Sequence, residues 1–184
     1  VIKMKVNNLS FSYGDFKVLD NISFEIPKGK ITTIIGPKGS GKSTLFNLMT
    51  NNLLGYEGEI FLEDKNIKDI KIKDFARKVA IVHQYNSAPA DITVRKLISY
   101  GRTPYLNFGK SLSEKDEEII EKAMKEAKVD EFANKLLGDL SGGQRQRVWI
   151  AMALAQETPY LFLDEPTTYL DIKNQIDLLK LIYK

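Results

Sequence analysis

Cysteine is missing from this chain of 184 residues, histidine occurs once, and neither sign of charge dominates, with 27 Lys or Arg against 24 Asp or Glu. Without cysteine the chain has no disulfides and no thiolate metal sites. The near balance of charge, with no arginine-rich arm and no long lysine run, argues against a nucleic-acid partner. No apolar run approaches the roughly 20 residues that a membrane-spanning helix needs.

The composition that is present indicates one folded domain. Hydrophobic residues make up 43% of the chain and charged residues 28%, which is typical of a globular protein and too apolar for disorder. A chain of this length buries one core with an insertion more readily than two independent cores. We therefore predict a single domain over residues 1–184.

The order of strand-like and helix-like patterns favours an α/β fold. The runs IKMKVNNLSFSY, ISFEI and ITTIIG lie within the first 36 residues, and the third is apolar enough to predict a strand buried on both faces. A helix, KSTLFNLMTNNL, follows with Leu45, Leu48 and Met49 on one face. Two further strands are predicted at 59–62 and 79–83, and strand, turn and helix form the α/β unit.

The middle of the chain has a helical pattern from about Thr93 to Leu137. Ser113 and Asp116 have the spacing of a capping box, and an apolar stripe follows at Ile119, Ile120, Ala123, Met124 and Ala127. The stripe predicts packing rather than chemistry. We predict a helical subdomain over 86–150, inserted between core segments at 1–85 and 151–184.

The segment GPKGSGKST fits G-x-x-x-x-G-K-[ST] between a predicted strand and a predicted helix. Its glycines let successive backbone amides face inward, and the helix N-terminus adds partial positive charge. Such a loop suits a polyphosphate, with Lys42 reaching the β- and γ-phosphates and the Ser43 hydroxyl ligating Mg²⁺. The predicted phosphate loop consists of Gly36, Pro37, Lys38, Gly39, Ser40, Gly41, Lys42, Ser43 and Thr44.

Two carboxylates, Asp164 and Glu165, end the apolar run YLFL. The carboxyl ends of strands are where α/β sheets place their ligands. A cation held by Asp164 would leave Glu165 to take a proton from water. Acidic residues after a strand are also common as helix caps, so this pair alone does not settle its own role.

A second turn rich in small residues, LSGGQ, contains Ser141, Gly142, Gly143 and Gln144 and precedes a helical run. Exposed amides and a hydroxyl at a helix start suit an anion, although the same residues make an ordinary N-cap. The sole histidine, His83, ends an earlier strand, and we expect a structural role for it.

In this order the motifs resemble the nucleotide-binding domain of ABC transporters, over nearly the full chain. GPKGSGKST is similar to the Walker A motif, LSGGQ to the ABC signature, YLFLDEP to Walker B and YLD at 169–171 to the D-loop. HQYN places Gln84 at the Q-loop position, and Tyr13 in FSYG matches the aromatic that stacks on adenine. The resemblance implies a P-loop NTPase (RecA-like) core with an N-terminal antiparallel β subdomain and an inserted α-helical subdomain ending in the signature motif.

The resemblance also implies ATP and Mg²⁺ as cofactors. Residues 39–44 would hold the phosphates, Ser43, Gln84 and Asp164 the metal, and Glu165 the attacking water. Lys42 and Gln84 join Glu165 as predicted catalytic residues, and Asp171 of the D-loop joins the nucleotide-binding ones. In such domains the residues matching Ser141 and Gly143 contact the γ-phosphate of a second copy, which implies a head-to-tail dimer.

A narrower resemblance lies in DITVRKLISYGRTPY, which is similar to ATPase subunits that import iron chelates, haem and cobalamin, and most to the ferric siderophore members. It implies transmembrane permease subunits, docking near residues 85–89, an extracytoplasmic binding protein and a place at the cytoplasmic face of the membrane.

Two departures from the family pattern keep other functions open. Lys38 stands where the family commonly has asparagine or another small polar residue, and we expect its side chain to be solvated. The family's switch histidine comes roughly thirty residues after the catalytic glutamate, whereas only nineteen residues follow Glu165 here. We therefore expect a truncated chain and keep, as one alternative, a nucleotide-binding module with impaired turnover. A separate alternative is a soluble ABC ATPase without a membrane partner, for example of iron–sulfur assembly.

Overall fold

A computed structural model describes residues 2–107, 109–167, 172, 175, 176, 180 and 181 of the chain. Its contacts divide the chain into two compact units, 1–75 and 76–184. Each unit is described by itself below. The predicted single domain with its helical subdomain over 86–150 stays a prediction.

The first unit is built on a long antiparallel hairpin. Strands β1 (Ile2–Tyr13) and β2 (Phe16–Pro27) pair along their length, and β3 (Glu57–Leu62) and β4 (Lys65–Asn66) complete a sheet of order β2-β1-β3-β4. Helix α1 (Lys42–Met49) follows the phosphate loop and buries Leu45, Leu48 and Met49, which confirms its predicted apolar face. These side chains and those of β1 and β3 supply the apolar core of the unit.

The prediction of a buried strand at 31–36 is wrong. These residues have no regular secondary structure, and Ile31, Ile34 and Ile35 are exposed, Ile35 to 86%. A strand needs a hydrogen-bonding neighbour, and none of the strands in the described ranges pairs with this segment. Its apolar sequence therefore does not produce burial here.

The second unit combines a short parallel sheet with helices. Helix α2 (Ile72–Ala76) leads from the first unit to strand β5 (Val79–Val82), which pairs in parallel with β6 (Tyr160–Leu163). Helices α3 (Val94–Ser99), α4 (Glu114–Glu126) and α5 (Gly142–Ala155) pack against one another. No helix within the described ranges is long and apolar enough to cross a membrane.

Local sequence signals in the second unit predict its helices well. The capping box of Ser113 and Asp116 forms at the start of α4, and all five residues of the predicted stripe are buried. The helical pattern breaks between α3 and α4 at a 3₁₀ helix, Tyr100–Tyr105. Pro104 lies within it, and proline lacks the N–H that a continuing α-helix would use.

Candidate functional site

The phosphate loop lies in the first unit and turns sharply before α1. The amide of Ser40 donates to the carbonyl of Pro37 at 3.3 Å, and Gly39 and Gly41 have φ of 83° and 88°. These angles lie in the left-handed region that side chains disfavour. Gly36 faces the Ser40 side chain, since a Cβ there would lie 2.8 Å from Ser40 Oγ. Glycine at positions 39 and 41 is therefore what allows the turn.

Gly41 has the additional constraint of close packing against β2. A Cβ at this position would lie 3.0 Å from Val18 Cγ1 and 3.0 Å from Leu19 Cδ2. Gly41 is also the N-cap of α1, and its carbonyl accepts from the amide of Leu45 at 2.8 Å. This contact places the N-terminus of α1, with its partial positive charge, against β2.

The side chains at the start of α1 differ in what they can offer a ligand. Lys42 Nζ donates to the carbonyls of Gly36 at 2.9 Å and Pro37 at 2.8 Å, so its ammonium group lies over the loop. Ser43 is exposed, whereas Thr44 is buried. The hydroxyl of Ser43 is therefore the more accessible of the two to a ligand.

Tyr13 lies at the tip of the hairpin, also in the first unit. It is the last residue of β1, its side chain is 53% exposed, and its ring meets Phe11 edge to face at 4.9 Å. Edge-to-face contact is a favoured arrangement of aromatic rings. Phe11 is buried, so it fixes one edge of the Tyr13 ring and leaves the rest of the ring accessible.

Gln84, Asp164 and Glu165 meet at one edge of the parallel sheet in the second unit. The amide of Asp164 donates to the carbonyl of Val82 at 2.9 Å, which extends the pairing of β5 and β6 to their carboxyl ends. Gln84 Nε2 donates to Glu165 Oε2 at 2.8 Å. The structure thus brings together residues that lie 81 positions apart, at the edge where α/β sheets place ligands.

Glu165 has a backbone conformation that is rare for its residue type. Its φ is 45°, within the left-handed region, which costs an L-residue with a Cβ roughly 1–2 kcal/mol. Residues held in such conformations concentrate at active sites. The bend turns the chain away from β6 directly after Asp164.

Ser141 begins α5 as its N-cap. Its hydroxyl accepts from the amide of Gln144 at 3.2 Å, and Gln144 Oε1 accepts from the amide of Ser141 at 2.8 Å, which completes a capping box. Ser141 and Gly142 remain exposed. These residues therefore form an ordinary helix N-cap, in which the amides of Ser141 and Gln144 are both hydrogen-bonded.

Comparison with known proteins identifies the family. Residues 19–168 match the ABC transporter family. The chain belongs to the ABC transporter family. It is 45% identical to the iron(3+)-hydroxamate import ATP-binding protein FhuC of Bacillus subtilis (strain 168) over 97% of its length, and 44% identical to the probable siderophore transport system ATP-binding protein YusV of the same strain over 98%. It is 42% identical to the ferric enterobactin transport ATP-binding protein FepC of Escherichia coli (strain K12) over 99%.

Solved structures agree with this assignment. The chain matches an inward-facing putative metal-chelate type ABC transporter with a TM-score of 0.84 and 30% identity, covering 99% of this chain and 67% of that one. A nucleotide-free ATP-binding cassette from an ABC transporter matches with a TM-score of 0.87 and 27% identity, covering 100% and 76%. These likenesses confirm the predicted fold class. The chain spans 66% of the length of YusV and of FhuC.

The ABC motifs fall into both units, and one lies outside the described residues. Tyr13 and the phosphate loop belong to the first unit, while Gln84, Ser141, Asp164 and Glu165 belong to the second. Asp171 of the D-loop lies outside the described residues. Its predicted role in nucleotide binding stays a prediction.

Sequence reasoning missed two groups of polar residues around the ABC motifs. The side chain of Asn86 hydrogen-bonds to both backbone groups of His83. Its Oδ1 accepts from the His83 amide at 3.2 Å, and its Nδ2 donates to the His83 carbonyl. An asparagine two positions after Gln84 is a turn signal from which these hydrogen bonds could have been predicted. The other group centres on Arg102, whose partners lie 14 to 55 positions away, and no local pattern signals it.

Proposed function

We propose that this chain is the ATP-binding and ATP-hydrolysing part of an importer for ferric siderophores or related iron chelates. The observation that carries the proposal is that its relatives named above are ATP-binding proteins for siderophore, iron(3+)-hydroxamate and ferric enterobactin transport. The segments that resemble Walker A, the ABC signature and Walker B follow one another along the chain in the order that the family has.

The phosphate loop would hold the triphosphate through backbone amides and the N-terminus of α1. Lys42 would release the carbonyls of Gly36 and Pro37, to which it now donates, and bind the β- and γ-phosphates as a point charge. The exchange replaces two neutral acceptors with an anionic one, which favours the nucleotide-bound arrangement.

The residues available for Mg²⁺ fit a hard cation that prefers oxygen ligands. Ser43 offers an exposed hydroxyl and Asp164 a carboxylate. Gln84 donates through its amide nitrogen to Glu165, so its amide oxygen is the atom left for a cation. When bound, Mg²⁺ would neutralise the negative charge of the β- and γ-phosphates.

Glu165 would accept a proton from the water that attacks the γ-phosphate. Its bond to Gln84 keeps the carboxylate at the edge of the sheet, beside Asp164.

The proposed partners are those that the resemblance to the family implies. A second copy would complete each nucleotide site through Ser141, Gly142, Gly143 and Gln144, with Asp171 at the same interface. Permease subunits would bind near residues 85–89, where Tyr85 is 71% exposed, and an extracytoplasmic binding protein would deliver the chelate. The chain would then lie at the cytoplasmic face of the membrane.

Uptake of radiolabelled iron(III)-hydroxamate tests the proposal. The chain, joined to the remaining segment of FhuC and expressed in a Bacillus subtilis strain that lacks FhuC, should restore uptake. Lys42→Ala should abolish it, whereas Lys115→Ala, at an exposed lysine of α4, should not. Failure of the unaltered chimaera, together with normal expression and membrane recruitment, would contradict the iron-chelate assignment.

A further inference from the structure

A second exposed aromatic residue, Phe16, lies opposite Tyr13 across the hairpin turn. The two residues are direct cross-strand partners on either side of Gly14 and Asp15. Directly opposed residues of an antiparallel pair project to the same face of the sheet, with Cβ atoms roughly 4.5–5.5 Å apart. The tip of the hairpin therefore presents two aromatic rings on one face.

The two rings differ in how they are held. Tyr13 packs edge to face against the buried Phe11. Phe16 is 71% exposed, and within the described part of the chain no aromatic or cation contact involves its ring. The exposed ring of a phenylalanine costs free energy in water that a bound apolar or aromatic partner would recover.

The hairpin tip is also next to the phosphate loop. Val18, two residues after Phe16 on β2, lies against Gly41 at the start of α1. Two strand residues span roughly 7 Å. A ligand whose phosphates lie at the loop would therefore have its other end within reach of the face that carries Phe16 and Tyr13.

We propose that Phe16 is a second base-contacting residue, which together with Tyr13 makes the site select nucleotides with a planar aromatic base over bare polyphosphate. The inference rests on the proposed nucleotide-binding function and adds a residue that none of the motifs contains. A base is favoured over a protein partner as the occupant because the patch is only two rings wide and lies on the strand that packs against the end of the phosphate loop.

Binding of ATP and of inorganic tripolyphosphate to the 184-residue chain, measured by calorimetry, separates the base from the phosphates. Phe16→Ala should weaken ATP about five- to tenfold, since stacking of a base on an aromatic side chain is worth roughly that much or more. Tripolyphosphate affinity should change less than twofold. Phe16→Leu should behave like Phe16→Ala, and Phe16→Tyr should retain ATP affinity, because only the ring distinguishes these variants.

Ile72→Ala is the matched control, since Ile72 is an exposed apolar residue of the same unit, and it should change neither affinity. Unchanged ATP affinity in Phe16→Ala would overturn the inference, and a simultaneous change in self-association would assign Phe16 to a protein interface instead. Equal losses for both ligands would also overturn it, because they would mean a disturbed phosphate loop. If the unaltered chain bound neither ligand, the proposed function itself would fail.

Discussion

The side-chain amide of Gln84 donates a hydrogen bond from Nε2 to Oε2 of Glu165 over 2.8 Å. The two residues follow adjacent parallel strands, β5 and β6, whose pairing continues to the amide of Asp164. The contact therefore joins a residue predicted to hold the metal to the residue predicted to activate water. Whatever moves the loop that begins at Gln84 also changes the surroundings of the Glu165 carboxylate.

Glu165→Gln removes the proposed proton acceptor and keeps the shape of the side chain. We expect ATP affinity to change little and phosphate release to fall at least a hundredfold, which is the usual contribution of a positioned base. Phosphate release is measured under conditions where the unaltered chain, or its chimaera with the rest of FhuC, shows turnover. Glu118→Gln, at an exposed carboxylate on α4, should leave turnover unchanged, and equal rates for both variants would refute the assignment of the base.

Glu165→Gly tests the backbone strain separately from the chemistry. Glycine adopts φ of 45° without steric cost, although it also gains more freedom in the unfolded chain. We expect a net gain of roughly 0.5–1 kcal/mol in the free energy of unfolding relative to Glu165→Ala, with no turnover in either. Thermal unfolding of the two variants measures the difference, and a lower midpoint for Glu165→Gly than for Glu165→Ala would mean that the strain is absent.

Features that depend on residues close together in the sequence form as predicted. A feature that depends on pairing with a remote segment does not. The capping box of Ser113 and Asp116 depends on residues three positions apart, and it forms as predicted. The run at 31–36 has strand-like composition, but strand formation depends on pairing with remote segments. Its isoleucines, Ile31, Ile34 and Ile35, are exposed because no described strand lies beside it.

The same reasoning applies to the candidate site. The phosphate loop and the N-cap Ser141 are local motifs, so sequence alone indicates both. Phe16 belongs to no motif, and only its cross-strand pairing with Tyr13 indicates a role in the site. Arg102 likewise needs the fold, because its contact to the carbonyl of Ala155 joins residues 53 positions apart.

Gly41→Ala should be more damaging than alanine at another glycine with positive φ. Both the left-handed φ and the close approach of Val18 and Leu19 oppose a Cβ at Gly41. At Gly29, φ is 66° but nothing lies within 4 Å of an added Cβ. We expect losses of unfolding free energy of roughly 2–4 kcal/mol at Gly41 and roughly 1–2 kcal/mol at Gly29, measured by chemical denaturation. Equal losses would show that packing against β2 contributes nothing.

The guanidinium of Arg102 is a buried charge at the base of the helical region, with a side chain only 6% exposed. Its Nε donates to Asp116 Oδ1 at 2.8 Å and its Nη1 to the carbonyl of Ala155 at 2.9 Å and to Glu157 Oε2 at 3.2 Å. The ring of Tyr105 lies 4.2 Å from the guanidinium carbon. These contacts join the 3₁₀ helix to α4 and to the end of the signature helix α5.

Asp116 gives this ion pair a defined pH dependence. Hydrogen bonds from the hydroxyl and the amide of Ser113, and the ion pair with Arg102, lower the pKa of Asp116 from 3.8 to about 2. Because the folded-state pKa lies below the unfolded value, the stabilisation is complete above about pH 4. It is lost as the pH falls from there through about pH 2, where the folded chain also takes up the proton.

Asp116→Asn should therefore lower the free energy of unfolding at neutral pH. In acid the variant and the unaltered chain should have similar stability. Leaving Arg102 buried without its carboxylate should lower the free energy of unfolding by about 3 kcal/mol at pH 7. The difference from the unaltered chain should shrink steadily between pH 4 and pH 2. Glu126→Gln breaks an exposed pair with Lys122 at 4.0 Å and should cost less than about 0.5 kcal/mol. A penalty for Asp116→Asn that stays constant with pH would mean that packing, rather than the carboxylate charge, is what Asp116 contributes.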